Sequence, residues 1–80
     1  MATKMISLIS LKPGQKGNLA GYSGKRKIDR ILNQYGIFEG DMVEVLRTAP
    51  FDGPILLRIN EREIAISLEL ADFLLVEISE

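Results

Sequence analysis

The 80-residue chain contains no histidine and no cysteine. These two absences remove the thiol and imidazole nucleophile–base pairs, the thiolate metal sites and the imidazole ligands together. They leave no disulfide framework to compensate for small size, which fits a reducing compartment such as the cytoplasm. No charge of one sign dominates: ten basic and eleven acidic residues give a formal net charge of −1. A general nucleic-acid binder carries a basic excess, so no nucleic acid is expected as a partner. No window approaches the ~20 apolar residues of a membrane span, so direct membrane insertion is not expected either. Residues 1–10 hold one lysine and a few apolar residues broken by serines, without a cleavage-site pattern, which argues against a signal peptide. G-x-S-x-G, P-loop and paired glycine fingerprints are missing as well. The chain reads as a binding protein and not an enzyme, with no cofactor and no metal site.

What is present is ordinary globular material, 46% apolar and 26% charged. A chain of this length forms one domain, here 1–80, and buries roughly 60–65% of the surface of its unfolded form. That allows one core but no deep substrate cavity. Lys12-Pro13-Gly14-Gln15 is a turn signal, and Lys16 to Tyr22 reads as a strand carrying two glycines, the mark of a bend or a close backbone approach. Ile28, Ile31, Leu32 and Tyr35 recur at helical spacing, predicting a helix over about 25–35. Gly36 supplies its left-handed stop, and Ile37 is placed to fold back onto Leu32. Beyond the turn Ile37–Asp41 the period falls to two. Strands are predicted at Met42–Thr48, Ile55–Ile59, Glu63–Ser67 and Leu74–Ile78, with one helical turn over Leu68–Asp72. The expected fold is mainly β with one α-helix and a short helical turn, a small SH3-like barrel of about five strands.

Candidate contact residues fall into two groups. Lys25, Arg26 and Lys27, with Arg30 one turn on, form either an electrostatic contact or the solvated side of an amphipathic helix. Phe38 and Phe51 both lie in predicted turns, where an aromatic either folds back over a barrel end, the commoner outcome, or stays out as a binding anchor. Asp52 adjoins the second of them. Glu61 and Glu63 flank Arg62 and read as a solvated hairpin rather than a cation site.

The order of these pieces resembles a known family. Arg30-Ile31-Leu32 to Tyr35-Gly36-Ile37, then Gly40-Asp41 and Val43-Glu44-Val45-Leu46, resembles the RLLxLGLxPGxxVxVL core of the ferrous-iron transport protein A family. Ala49-Pro50-Phe51-Asp52-Gly53-Pro54 is similar to its APxGDP segment, with Asp and Gly exchanged. Leu11–Gly17, Glu63–Ser67, Leu70-Ala71 and the last strand match further pieces, covering about residues 6–78. Glu39 stands where a proline is usual, Tyr35 where leucine is common and Ser67 where arginine is common. The resemblance implies a cytoplasmic accessory protein of bacterial ferrous-iron uptake, at the inner face of the membrane through its partner. That partner is a membrane iron transporter with a cytoplasmic G-domain, which Phe38, Phe51, Asp52, Lys25, Arg26 and Lys27 are expected to contact. Regulation of GTP turnover through Arg47, Arg58 or Arg62 is one variant, and a weak homo-oligomer is a further expectation. The alternatives are an accessory domain of a metal-dependent repressor and a small RNA-associated barrel.

Overall fold

The computed structural model describes residues 2–22 and 29–79. Six strands form one antiparallel sheet: β1 (Thr3–Ser7), β2 (Lys16–Tyr22), β3 (Met42–Thr48), β4 (Ile55–Ile59), β5 (Arg62–Ile66) and β6 (Leu74–Ser79). Helix α1 (Asp29–Tyr35) lies between β2 and β3, and α2 (Leu68–Phe73) between β5 and β6. The order across the sheet is β1-β6-β2-β3-β4-β5. The four strands predicted after the helix stand within one residue of their predicted bounds, and the one predicted before it from its turn and glycines spans Lys16–Tyr22 as expected.

The sheet curls because β2 serves two neighbours. Its first residues, Lys16 to Asn18, pair with β3, and Asn18 to Tyr22 pair with β6. Gly17 permits this: a Cβ there would meet Ile78 Cγ2 at 3.0 Å and the Glu77 carbonyl at 3.1 Å. Gly21 sits where the β2–β6 register shifts, a bulge that bends the strand further. Both glycines thus mark the bend and close approach that their place in a strand predicts. The curled sheet encloses Leu19, Val43, Val45, Ile55, Leu57, Ile59, Leu74 and Val76, which all belong to the buried core.

The mainly β, SH3-like fold is the expected one, and two of its details are sharper than the sequence made them. Among the described residues the strands number six and no pairing joins the outer strands β1 and β5, so the sheet remains open. The additional strand, β1, carries no period-two signal because three of its residues are exposed and the other two only half-buried. It is defined instead by continuous pairing with β6, from Thr3 opposite Ser79 to Ser7 opposite Leu75. A 3₁₀ turn, Leu8–Ser10, follows it and buries Leu8. The predicted helical face is also only partly a core face. Leu32 is buried, whereas Ile31 and Tyr35 are 40% and 37% exposed. The predicted helix start, with Ile28 and Lys25, Arg26 and Lys27, lies outside the described residues.

The end of α1 is built as its sequence requires. The Ile37 N–H donates to the Leu32 carbonyl at 2.9 Å and the Gly36 N–H to Asn33 at 3.0 Å, the paired bonds of a Schellman ending. Gly36 adopts φ +72°, which a side chain would strain. Arg62, the first residue of β5, completes the cap: its guanidinium donates to the Tyr35 and Gly36 carbonyls at 3.1 and 3.0 Å. At α2 the Ser67 hydroxyl accepts from the Leu70 N–H at 3.1 Å, so this departure from the family pattern is an N-cap.

Candidate functional site

The two turn aromatics lie at opposite ends of β3. Phe38 precedes the strand and Phe51 follows it, and a strand of this length separates its ends by roughly 20 Å. They do not form one small surface, and each has its own setting.

The Phe38 turn is fixed to β2. The Phe38 N–H donates to Asp41 Oδ2 at 2.9 Å, and the Asp41 N–H donates back to the Phe38 carbonyl at 3.1 Å. The Gly40 N–H donates to the Leu19 carbonyl at 2.7 Å, and the Leu19 N–H to that of Asp41 at 2.8 Å. The backbone is therefore held, yet the Phe38 side chain stays 55% exposed. It borders a cleft of about 210 Å³ lined by Leu19, Tyr22, Leu32 and Ile37, among others. Ile31 and Tyr35, four residues apart on α1, add exposed apolar surface on the helix that runs into this turn.

At the other end, β3 and β4 are joined by residues 49–54, with a tight turn at the tip. The Gly53 N–H donates to the Pro50 carbonyl and the Ala49 N–H to that of Pro54, both at 3.2 Å. The central residues are Phe51 at φ +58° and Asp52 at φ +59°, so the turn is type I′. Such turns favour Asn-Gly, because a side chain at positive φ costs about 1–2 kcal/mol. The exchanged Asp and Gly now have a structural meaning. Glycine is moved off the left-handed position to 53, where a Cβ would lie 2.7 Å from Ala49 Cβ, and Asp52 takes the left-handed place. Phe51 is 99% exposed and does not fold back over the barrel.

Sequence reasoning missed a groove at the base of this hairpin. It occupies about 350 Å³ and is lined by Arg47, Ala49, Pro50, Pro54, Leu56 and Ala65, with Thr48. Leu56 and Ala65 are register partners on adjacent strands, on the side of the sheet away from buried Ile55 and Leu57. The signal was the run Ile55-Leu56-Leu57, in which an apolar residue occupies the outward position too. Farther along β4, Arg58 is bracketed by Glu44 at 3.7 Å and Glu63 at 3.9 Å. Arg58 and Arg62 are thus engaged within the fold, whereas Arg47 makes no ion pair or side-chain hydrogen bond among the described residues. Among those residues no group of three or more carboxylates, histidines or cysteines is placed to hold a metal ion. No described helix is long and apolar enough to cross a membrane.

The FeoA domain matches residues 6–78. The chain belongs to the FeoA domain family. No curated protein matches it. Among solved structures, an iron uptake regulatory protein (FeoA) superposes with a TM-score of 0.80 at 26% identity, over 94% of this chain and 100% of that one. A FeoA-like protein from Clostridium acetobutylicum gives 0.82 at 27% identity, over 94% of this chain and 87% of that one. A manganese-dependent transcriptional repressor shares the fold at TM-score 0.81 and 21% identity, with 95% of this chain matching 42% of the repressor. The FeoA family membership ties the chain to ferrous-iron transport, and the repressor likeness is one of fold.

Proposed function

We propose that this FeoA-family chain is a cytoplasmic accessory protein of ferrous-iron uptake that binds the G-domain-bearing portion of a membrane iron transporter. The observation that carries this reading is the apolar surface at the end of α1. Phe38 is exposed there beside a cleft, on a turn held by hydrogen bonds to β2, and Ile31 and Tyr35 are exposed on the helix that runs into it. A rigid turn loses little entropy on binding, and exposed aromatics beside a cleft are typical anchors. Lys25, Arg26 and Lys27 precede α1 in sequence and supply positive charge toward an acidic partner surface. Phe51 and Asp52 are too far along β3 to share one small contact with Phe38. The repressor-domain reading rests on fold alone.

Calorimetric titration of the purified chain against the transporter's soluble G-domain, with co-purification on the full membrane subunit, tests this. Binding is expected, with Phe38→Ala weakening it about tenfold or more and Phe51→Ala leaving it nearly unchanged. Absence of binding to both forms of the transporter overturns the proposal. Loss of binding in Phe51→Ala alone would move the contact to the other end of β3.

A further inference from the structure

The outer face of the sheet carries two cross-strand rows that both end on the edge strand β5. In one, Lys16, Glu44, Arg58 and Glu63 are successive register partners on β2, β3, β4 and β5, so charge alternates strand by strand. Arg58 lies 3.7 Å from Glu44 and 3.9 Å from Glu63. In the other, Arg47, Leu56 and Ala65 are register partners along the groove of about 350 Å³. Both rows stop at β5, which among the described residues has a neighbour on one side only. Glu63 and Ala65 are exposed there.

The backbone of this edge has a defined pattern. The turn between β4 and β5 has two central residues, Asn60 at φ +51° and Glu61 at φ +67°, which makes Ile59 and Arg62 the first hydrogen-bonded pair. Arg62, Ile64 and Ile66 therefore turn their N–H and C=O groups toward β4, and Glu63 and Ala65 turn theirs outward. Outward groups on an exposed edge are a template for a further strand. An antiparallel strand added here sets one residue opposite Ala65, beside the groove, and the residue two positions later opposite Glu63.

We propose that β5 takes up an extended segment of a partner protein, in which an apolar residue is followed two positions on by Lys or Arg. The apolar side chain continues the row Arg47, Leu56 and Ala65 over the groove, and the cation continues the alternation past Glu63. A charge on an edge strand suppresses indiscriminate pairing, and Glu63 also selects the sign of what can pair. A second copy of this chain does not meet that requirement. β5 against β5 sets Glu63 opposite Glu63, Ala65 or Ser67, and β1 presents Thr3, Met5 and Ser7 on its outer face, none of them a cation. The edge shares no residue with the Phe38 cleft, so the proposal does not rest on transporter binding. The contact is small and the complex transient, with a Kd on the order of 0.1–1 mM.

The probe is a capped peptide, Thr-Thr-Leu-Thr-Lys-Thr-Thr, titrated into the isotope-labelled full chain to about 5 mM and followed by amide NMR. Saturable shifts are expected at Glu63 and Ala65 and along the groove at Leu56 and Arg47. The N–H groups of the peptide's leucine and lysine face β5 in the added strand, and that of the threonine between them faces solvent. Methylating either of the first two nitrogens should therefore weaken binding more than tenfold, and methylating the third should change it less than twofold. These comparisons leave the protein untouched, so a folding defect cannot produce the loss. Replacing the peptide's lysine by glutamate should weaken binding several-fold, as should Glu63→Lys with the original peptide. The glutamate peptide should recover most of its affinity on Glu63→Lys. Absence of shifts along β5 would falsify the proposal. Equal loss from all three methylations, or a charge exchange that recovers nothing, would overturn it as well.

Discussion

At the scale of single residues, Phe51 is where local chemistry and structure disagree. It is a bulky side chain at φ +58° with no packing to offset the strain. Non-glycine residues in that region cost about 1–3 kcal/mol and persist where something else selects them. Phe51→Asn should therefore stabilise the protein by roughly 0.5–1 kcal/mol, read as a higher urea midpoint with an unchanged slope. A lower midpoint would mean that the ring is packed and the exposed tip is wrong. Sequence alone left both outcomes open for this phenylalanine. Its fate depends on the sign of a backbone angle, and neither Pro50 nor Gly53 fixes the turn type by itself.

Between elements, two arginines on neighbouring strands do different work. Arg62 ties the first residue of β5 to the last carbonyls of α1, which would otherwise lack donors. Arg58 sits half-exposed between two glutamates on the sheet surface. Arg62→Ala should cost about 1 kcal/mol and speed hydrogen exchange selectively in α1. Arg58→Ala should cost about 0.5 kcal/mol or less and leave α1 exchange unchanged. Equal effects of the two on α1 would remove the capping role. The sequence showed Arg62 only as part of a polar break, because its partner carbonyls lie 26 and 27 residues away. By contrast the Schellman ending was fully legible, since Leu32, Gly36 and Ile37 specify it within one turn. Strands β2 to β6 were legible because each has one buried face. β1 was not, because its place is set by hydrogen bonds to β6 rather than by burial.

For the molecule as a whole, the small core makes every central residue expensive to lose. Leu57 is fully buried on β4, between β3 and β5. Leu57→Ala should cost about 2–5 kcal/mol, a large share of the 5–15 kcal/mol typical of a domain. Fluorescence-free probes such as far-ultraviolet circular dichroism should then show one cooperative transition at a much lower temperature. Loss of only a few tenths of a kcal/mol would show that β4 is peripheral to the core. Strands β2 to β6 all contribute to one buried cluster, and β1 packs against it through half-buried Ile6.

The position of β6 has a consequence during synthesis. This strand separates β1 from β2 in the sheet, yet it is the last of the six to leave the ribosome. Until it does, β1 has no neighbour and β2 has only β3. At 5–20 residues per second, the wait between completing β2 and beginning β6 is roughly 3–10 s. Through that interval Leu19 lacks its pairing partner Val76, and the unfinished sheet exposes edges on which another nascent chain can pair. Chaperone dependence of this small protein would therefore be decided less by its final stability than by the timing of its last strand.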